Sequence, residues 1–234
     1  GFLQQTRQDW EIMFVCDGCT DGTPSRLVEL AGADHPQVRV LSHTPNRGKG
    51  YAVRRGLAAA RGEWRLFTDV DLAYRFDDVL RVLHHLQAGA DLAIACRLHA
   101  DTRVTAPTRL LGYVYARHLQ SLAFSALVRT LLPIQERDTQ AGLKGMSARA
   151  ARLLLPQLRC NGFGFDCELL MACRHHRLTV AEVPVHVRYD TSSSTTGMRA
   201  MSRMIRELLG IRRAWKAPTS PPEEVIAPPR RQAA

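Results

Sequence analysis

The sequence WRLFTDVD, residues 64–71, places two carboxylates directly after a short run of apolar and β-prone residues. Residues 64–68 have the length and composition of a buried strand. Asp69 and Asp71 follow with a spacing of two, which puts both carboxylates on one side of an extended chain. Oxygen ligands arranged in this way suit Mg²⁺ or Mn²⁺ bridging a diphosphate, whereas a solvated loop with a helix-capping aspartate is the plainer alternative.

Strands and helices alternate along the chain on both sides of this stretch. Strands are predicted at residues 11–16, 38–41, 64–68, 91–95 and 179–188, with a small strand or loop at 138–146. Helices are predicted at residues 24–32, 50–60, 76–87, 108–132, 147–156, 165–176 and 198–216. The alternation predicts a Rossmann-like α/β fold with a mostly parallel sheet flanked by helices. In such sheets ligands bind at the carboxyl ends of the strands.

A second acidic motif, DGCTDG at residues 17–22, follows the predicted strand 11–16. Asp17 and Asp21 lie in this glycine-containing turn, where a carboxylate can accept hydrogen bonds from a nucleotide base or a ribose hydroxyl. An Asx-turn followed by a helix N-cap is the structural alternative. Because both acidic motifs fall at predicted strand ends, the sequence favours a binding site at that edge of the sheet.

Three further segments are dense in polar groups. NRGKG, residues 46–50, opens a predicted helix, where Lys49 is suited to hold an anion, although the glycines also serve a plain helix start. The motif is not a Walker A, since the upstream Gly and the following Ser or Thr are absent. The segments DTQAGLK at 138–144 and FGFDCE at 163–168 are each compatible with helix capping alone.

The chain carries a formal net charge of +10, with 32 Lys and Arg against 22 Asp and Glu. This balance favours an anionic partner such as nucleic acid, lipid headgroups or phosphorylated substrates, although arginine richness also follows from a GC-rich genome. Cys16 and Cys19 form a C-x-x-C motif, but no second such pair completes a zinc site, so we interpret the cysteines as ordinary thiols of a reducing compartment. No apolar stretch reaches the length of a membrane span, and no signal peptide opens the sequence.

Five motifs occur in an order that resembles the family 2 glycosyltransferases, and most of all the polyprenyl-phosphate sugar synthases, the dolichyl-phosphate glucose and mannose synthase group. They are FVCDGCTDGT, NRGKGYAVRRG, FTDVDLA, RDTQAGLKGM, and GFGFDCELL followed by EVPV. The resemblance covers residues 9–216. It implies a GT-A fold, a divalent metal ion, and inversion at the anomeric carbon of the transferred sugar.

The resemblance also implies roles for individual residues. Contacts with the nucleotide-sugar are expected for Asp17, Asp21, Lys49 and Asp69. The metal is expected on Asp69 and Asp71, and catalytic roles are expected for Asp71 and Asp138. Contacts with acceptor or donor phosphates are expected for Arg97, Arg109, Gln140 and Lys144.

The sequence departs from the family pattern in two places. Cys16 stands where the family usually has the first of two aspartates, and Cys19 stands where it has a serine. The family's first strand, with its Ile-Pro-x-Tyr-Asn-Glu-like motif, has no counterpart in the sequence. We therefore expect a sheet that lacks its first strand and has an exposed edge there. A catalytically inactive, glycosyltransferase-like interaction module is the alternative function that these departures leave open.

The expected reaction moves a hexose from UDP-glucose or GDP-mannose to a polyprenyl phosphate, while Mg²⁺ or Mn²⁺ neutralises the leaving diphosphate. A phosphate monoester has a second pKa of about 6 and is anionic near neutral pH, so this acceptor needs no strong general base. Asp138 is then expected to orient the acceptor or the sugar hydroxyls. Nucleic-acid binding is the other alternative that the charge raises, but the sequence contains no fingerprint of a nucleic-acid-binding fold, and we expect no nucleic-acid partner.

Three segments are expected along the chain: an N-terminally truncated glycosyltransferase domain at 1–197, a basic amphipathic helix at 198–216, and a disordered Pro-rich tail at 217–234. The apolar face of the helix, which we expect to lie on an anionic membrane surface, comprises Met201, Met204, Ile205, Leu208 and Trp215. A helix packed on the core with solvated arginines is the alternative. The expected location is peripheral, on the cytoplasmic face of the membrane.

Overall fold

The protein is seen in a computed structural model that describes residues 9–31, 35–70, 73–189 and 198–215. Its strands are β1 (Ile12–Asp17), β2 (Val38–His43), β3 (Trp64–Thr68), β4 (Leu92–Cys96), β5 (Arg103–Thr105), β6 (Leu143–Ser147), β7 (Val180–Pro184) and β8 (His186–Arg188). Its helices are α1 (Thr23–Ala31), α2 (Lys49–Ala59), α3 (Phe76–Gln87), α4 (Leu111–Leu131), α5 (Ala148–Leu154), α6 (Phe165–His175) and α7 (Met198–Ala214). A single 3₁₀ turn, Thr108–Leu110, leads into α4.

The main sheet has the strand order β3-β6-β4-β7, and its direction pattern decides where the site forms. Strand β6 runs antiparallel to both β3 and β4, whereas β7 runs parallel to β4. The chain that leads into β6 therefore arrives at the carboxyl ends of β3 and β4. This brings residues 138–142 next to the residues that follow those two strands.

Strands β1 and β2 form a separate parallel pair, and a third parallel pair joins β5 to β8. Among the described strands, β1 and β3 each have a neighbour on one side only. Helix α2 contacts both of them and so links the two sheets. The Glu11 carboxylate adds a second link, since it accepts a hydrogen bond from the backbone N–H of Gly62 at 3.1 Å and pairs with Arg39 at 3.4 Å. The strand that the resemblance places first in the sheet is not among the described strands.

The core lies on both faces of β4, which is buried throughout. Because side chains alternate along a strand, Leu92 and Ile94 face one apolar cluster, which includes α5, α6 and part of α7. Ala93 and Ala95 face a second cluster, which includes apolar residues of α3 and β7. A strand buried on both faces reads as a continuous apolar run, which is why LAIAC was recognisable in the sequence.

Local capping defines the helices that flank this core. The buried Asp78 carboxylate accepts the backbone N–H of Arg75 at 3.0 Å and so closes the first turn of α3. The Ser147 hydroxyl accepts the N–H of Ala150 at 3.1 Å at the start of α5. Both caps satisfy polar groups that would otherwise be left unpaired at a helix end.

The structure confirms the predicted α/β fold and corrects several elements. The sheet is mixed at its centre, because β6 runs against its neighbours. The single strand predicted at 179–188 is divided into β7 and β8, which belong to different sheets, and β5 was not predicted. The division follows Pro184, which has no N–H to continue a ladder.

Helix α7 corrects the expectation that its whole apolar face lies on a membrane. Leu208 and Ile211 are buried in the core, so this part of the face is already occupied. The side chains of Met198 and Met201, Lys216, and the tail 217–234 lie outside the described part of the chain. Among the described side chains of α7, four arginines are exposed: Arg203, Arg206, Arg212 and Arg213. The described part of α7 thus matches the alternative of a packed helix with solvated arginines.

Within the described ranges, we find no helix that combines the length and the apolar character needed to cross a bilayer.

Candidate functional site

The candidate site lies where the carboxyl ends of β3 and β4 meet the segment before β6. Asp69 follows β3, Arg97 follows β4, and Asp138 lies in the segment before β6. The antiparallel direction of β6 brings these parts together although they are far apart in the sequence. Two groups of charged side chains result, one around Asp69 and one around Arg97.

The first group, which we call the charge ladder, consists of four side chains of alternating sign. In order they are Asp69, Lys49, Asp166 and Lys144. Lys49 Nζ lies 3.0 Å from Asp69 Oδ1 and 3.4 Å from Asp166 Oδ2. Lys144 Nζ lies 2.7 Å from Asp166 Oδ1. The ladder thus runs from the surface of the site to the centre of the sheet.

Exposure falls steeply along the ladder. The Asp69 side chain is 40% exposed, Lys49 is mostly buried, and Asp166 and Lys144 are fully buried. Burial by itself would lower the pKa of Lys49, but Asp166 and then Asp69 outweigh it, so the pKa is raised and the ammonium stays charged. The Asp166 Oδ2 atom is buried without a hydrogen bond, and Lys49 is the cation nearest to it among the ion pairs of the described residues. Lys49 therefore joins the exposed Asp69 to the buried Asp166.

Gly142 makes room for the exposed end of the ladder. The backbone N–H of Asp69 donates to the Gly142 carbonyl at 3.0 Å, and a Cβ at position 142 would collide with the Asp69 carboxylate. The N–H of Gly142 donates to the Tyr74 hydroxyl at 3.1 Å. A side chain at 142 would therefore displace Asp69.

The second group is a buried ion pair between Arg97 and Asp138. The guanidinium donates through Nε to Oδ2 at 2.7 Å and through Nη2 to Oδ1 at 2.9 Å, and the Arg97 backbone N–H donates to Oδ2 at 2.9 Å. Burial by itself would raise the pKa of Asp138, but the Arg97 guanidinium outweighs it and holds this pKa below its usual range. Asp138 is thus an ionised acceptor of hydrogen bonds and poorly suited to take up a proton at neutral pH.

Asp17 lies at the end of β1 and holds the loop before α2. Its carboxylate accepts the backbone N–H groups of Arg47 at 2.6 Å and Gly48 at 2.8 Å, and it lies 2.8 Å from His43 Nε2. Gly48 has φ of 100°, a conformation that favours glycine. Because Lys49 follows Gly48 directly, Asp17 helps to fix the position of Lys49 in the charge ladder.

The remaining predicted site residues are placed less centrally. Asp21 is exposed and accepts the N–H of Thr23 at 3.1 Å, which is the capping arrangement named as its alternative. Gln140 Nε2 lies 3.5 Å from the Phe163 carbonyl oxygen. Arg109 is exposed on the 3₁₀ turn and pairs with no other described residue of the site. Asp71 lies outside the described residues. The direct ligand contacts of all four residues stay predictions.

Lys144 was expected to contact a phosphate, but its ammonium is enclosed. Nζ donates to the Ala141 carbonyl and to Asp166, and the side chain has no exposed surface. In this structure Lys144 contacts Asp166 and has no surface that a phosphate could reach, so the structure does not support its predicted phosphate contact.

Sequence reasoning did not assign site roles to Asp166 or Tyr74. Asp166 carried a signal, because FGFDCE places an acidic residue at the start of a helix, but capping explained it equally well. Tyr74 carried none: it is partly buried, forms an isolated bridge with Val187, and reaches the site through its hydroxyl, which accepts the Gly142 N–H. Burial raises the pKa of Tyr74 above its usual range, so the hydroxyl stays protonated.

The described residues are compatible with a divalent ion, although they do not form a complete cage for one. No cluster of three or more His, Cys, Asp or Glu side chains suited to a metal occurs among them. Mg²⁺ is commonly held by one or two carboxylates together with substrate phosphates and water. The exposed Asp69 carboxylate supplies one such ligand, so the donor chemistry fits.

The model of the family described as "Glycosyl transferase family 2" matches residues 1–152. This chain belongs to glycosyl transferase family 2. The family predicted from the five motifs is therefore confirmed. Residues 1–152 include Asp17, Lys49, Asp69 and Asp138, so the family match spans most of both charged groups.

Curated relatives are about 30% identical to this family 2 chain over the aligned residues. The dolichyl-phosphate beta-glucosyltransferase of Saccharomyces cerevisiae is 28% identical over 222 residues, covering 88% of this chain and 65% of the relative. The Homo sapiens dolichyl-phosphate beta-glucosyltransferase is 32% identical over 212 residues, covering 87% and 63%. The chain thus spans a little less than two thirds of the length of these relatives.

A solved structure supports the predicted GT-A fold. Glucosyl-3-phosphoglycerate synthase from Mycobacterium tuberculosis, in complex with Mn²⁺, UDP-glucose and glycerol 3-phosphate, superimposes with a TM-score of 0.56 at 21% identity. The match covers 89% of this chain and 70% of that structure. At this identity the similarity establishes the fold.

Proposed function

We propose that this protein transfers glucose from UDP-glucose to a polyprenyl phosphate, with a divalent metal ion and with inversion at the anomeric carbon. Membership of family 2 and the names of the curated relatives support a glucosyl group and a lipid phosphate acceptor. The observation that carries the proposal is the exposed Asp69 carboxylate, held at the end of β3 by the buried charge ladder. GDP-mannose is the alternative donor.

Asp69, together with Asp71, would hold Mg²⁺ or Mn²⁺ against the donor diphosphate. The ion would neutralise charge on the departing UDP. Lys49 adds a second positive charge at the same place, and its pairing with Asp69 and Asp166 keeps its ammonium oriented. Asp17 contributes by holding the loop from which Lys49 projects. These residues form the donor side of the proposed site.

The acceptor side is proposed around Arg97 and Asp138. An oxygen of the lipid phosphate forms a bond to the anomeric carbon of glucose while the bond from that carbon to the UDP oxygen breaks, and UDP leaves with the electron pair. The phosphate monoester is already anionic near neutral pH, so no proton has to be removed from it. The lowered pKa of Asp138 agrees with an orienting role and argues against a general base. Gln140 and Arg109 remain proposed phosphate contacts.

The test is transfer of radiolabelled glucose from UDP-glucose into the lipid extract, with and without added polyprenyl phosphate and Mg²⁺ or Mn²⁺. Asp69→Asn and Asp71→Asn should each lower transfer at least about 100-fold, the loss of one electrostatic contact to a developing charge. Glu29→Gln, on the exposed face of α1, is the matched control and should retain activity. Full activity in both aspartate variants would exclude this metal site. Tight donor binding without any transfer would favour the inactive interaction module.

A lipid-linked acceptor requires that the protein work at a membrane surface. Peripheral attachment is therefore part of the proposal, and the cytoplasmic side of that membrane remains our prediction. Since the apolar face of α7 is partly occupied by the core, the attachment surface has to be sought elsewhere.

A further inference from the structure

Helix α4 carries large apolar side chains that face solvent along one line. We call this line the α4 stripe: Leu111, Tyr115, Leu119 and Leu122, with exposed fractions of 58%, 65%, 47% and 40%. At 100° per residue the four positions fall within an arc of about 80°, and from Leu111 to Leu122 they extend about 16 Å. Monomeric surfaces seldom expose so many large apolar side chains in one continuous row.

A different side of the helix attaches α4 to the rest of the protein. Its buried residues are Ser125 and Val128, which project about 80° and about 140° away from the middle of the stripe. The stripe is therefore not the inward face of a poorly packed helix. It is a second apolar face for which folding supplies no partner among the described residues.

The chain segment that carries the stripe contains basic residues and no acidic ones. No Asp or Glu occurs between residues 102 and 135, whereas this segment contains Arg103, Arg109, Arg117 and Arg129. Arg103, Arg109 and Arg129 are exposed, and Arg129 lies on the same side of α4 as the stripe. An apolar strip bordered by basic residues complements the interface of an anionic bilayer, where headgroups attract the arginines and acyl chains accept the apolar residues.

The stripe also begins near the acceptor side of the proposed site. The Tyr113 ring, in the first turn of α4, lies 6.4 Å from the Tyr189 ring in a T-shaped contact. Burial by itself would lower the pKa of Arg97, but the Asp138 carboxylate outweighs burial and the pKa is raised. Tyr189 also contributes to this rise, so it lies close to Arg97. The N-terminal end of the stripe therefore lies on the far side of the first turn of α4 from Tyr189 and the Arg97–Asp138 pair.

We propose that the α4 stripe and its bordering arginines dock this protein on an anionic lipid surface, so that the headgroups lie near the acceptor side of the site at the N-terminal end of α4. The inference rests on the proposed function, because a lipid phosphate acceptor has to be met at such a surface. A second copy of the chain fits the stripe less well. A two-fold pairing of two stripes would bring the bordering arginines of both copies, Arg109 and Arg129, into one contact without acidic partners from this segment, and like charges there would repel each other.

The experiment is cosedimentation of the full chain with vesicles of phosphatidylglycerol and phosphatidylcholine, compared with vesicles of phosphatidylcholine alone. The stripe variant combines Leu111→Ser, Leu119→Ser and Leu122→Ser. Each leucine removed from the lipid should weaken partitioning about tenfold, so the triple variant should bind at least about 100-fold less. Wild-type binding should need the anionic lipid and weaken with salt, because about 1 M salt shortens the screening length to about 3 Å.

Two controls separate the stripe from other surfaces. Val28→Ser with Leu30→Ser removes comparable apolar groups from α1, where these side chains are 59% and 78% exposed, and should leave binding unchanged. Arg212→Gln with Arg213→Gln removes charge from α7 and should weaken binding much less than the stripe variant does. The substituted residues are exposed, so circular dichroism and melting temperature should match the wild type for all variants.

The proposal is wrong if the stripe variant binds vesicles as well as the wild type, or if the α7 variant alone loses binding. It is also wrong if the wild type is a dimer that ignores vesicles and that the stripe variant dissociates. Glucose transfer to polyprenyl phosphate in detergent separates this proposal from the proposed function. Transfer in detergent without vesicle binding overturns only the docking surface, whereas vesicle binding without transfer overturns only the proposed function.

Discussion

The buried pair of Arg97 and Asp138 can be broken from either side, and the two results should differ. Arg97→Met keeps most of the side-chain length but removes the guanidinium. Asp138 would then remain buried with only backbone donors, the N–H of residue 97 at 2.9 Å and that of Gln140 at 3.3 Å. Asp138→Asn instead leaves a guanidinium whose side chain is one fifth exposed and can reach water.

The expected loss of stability follows from these contacts. Arg97→Met removes two charge-assisted hydrogen bonds, each worth about 1.5–3 kcal/mol, and leaving one member of a buried ion pair alone costs about 3–5 kcal/mol. The two remaining N–H donors offset part of this cost, so we expect a loss of about 3 kcal/mol. Asp138→Asn should cost about 1–2 kcal/mol, because the amide oxygen can still accept a hydrogen bond and the remaining guanidinium is partly exposed to water.

The pH dependence of the difference is a sharper test. In the wild type the pKa of Asp138 lies below its ordinary value of 3.8. The ionised carboxylate therefore contributes its full stabilisation above pH 3.8, and this stabilisation disappears as pH falls through the lowered pKa. In Arg97→Met burial acts without the guanidinium, so the pKa of Asp138 should rise above 3.8. The ionised carboxylate then destabilises the variant at neutral pH. The difference in free energy of unfolding between the wild type and the variant should shrink as pH falls through this raised pKa.

Urea unfolding followed by circular dichroism, between about pH 7 and the ordinary Asp pKa near 4, measures both quantities. Arg149→Gln is the control, since it removes an exposed guanidinium that lies 4.0 Å from Asp91, and it should cost less than about 1 kcal/mol at every pH. A loss below about 1 kcal/mol for Arg97→Met, or a loss that does not change with pH, would refute the reasoning, because both follow from a buried carboxylate deprived of its partner.

Two substitutions at glycines test the packing around the charge ladder. Gly142→Ala places a methyl group where the Asp69 carboxylate lies, so it should weaken Mn²⁺ and donor binding by about tenfold or more, as measured by calorimetry. Unchanged affinity would show that Asp69 is not held there. Gly50→Ala, whose Cβ would lie 2.5 Å from the Cys160 carbonyl oxygen, should destabilise the protein by about 1–3 kcal/mol in thermal melts. Gly210→Ala is its helical control, has open space around it, and should instead stabilise by about 0.5–1 kcal/mol; equal effects at the two positions would contradict the predicted steric conflict.

The elements most accurately predicted are those whose patterns are local. Strand 64–68 and helix 76–87 have the predicted bounds, because a short apolar run and a 3.6-residue repeat are both visible within one window. The prediction of one strand over 179–188 was wrong, since the separation of β7 from β8 depends on which neighbours each half pairs with. The helix predicted at 108–132 begins with a 3₁₀ turn at Thr108–Leu110, a difference close to the usual uncertainty of helix ends.

Ionic partners could not be predicted from the motifs. The sequence suggested that Lys144 contacts a phosphate, yet its ammonium is buried against Asp166, a residue 22 positions away. The resemblance implied a phosphate contact for Arg97, which stays a prediction, but it did not indicate the pairing of the Arg97 guanidinium with Asp138. Which carboxylate a cation meets depends on strand order and direction, and neither is encoded in the spacing of a single motif.

The sequence by itself determined the α/β fold class, the family, and the position of the acidic motifs at strand ends, because strand composition, turn residues and motif order are properties of neighbouring residues along the chain. Only the tertiary structure decided which charges are exposed and which are enclosed. The antiparallel placement of β6 brought Asp138 to Arg97 and Gly142 to Asp69, while packing took Leu208 of α7 into the core and left the α4 stripe in solvent. The physical reason is that burial and long-range ion pairing arise from contacts between segments far apart in sequence, which a local pattern does not specify.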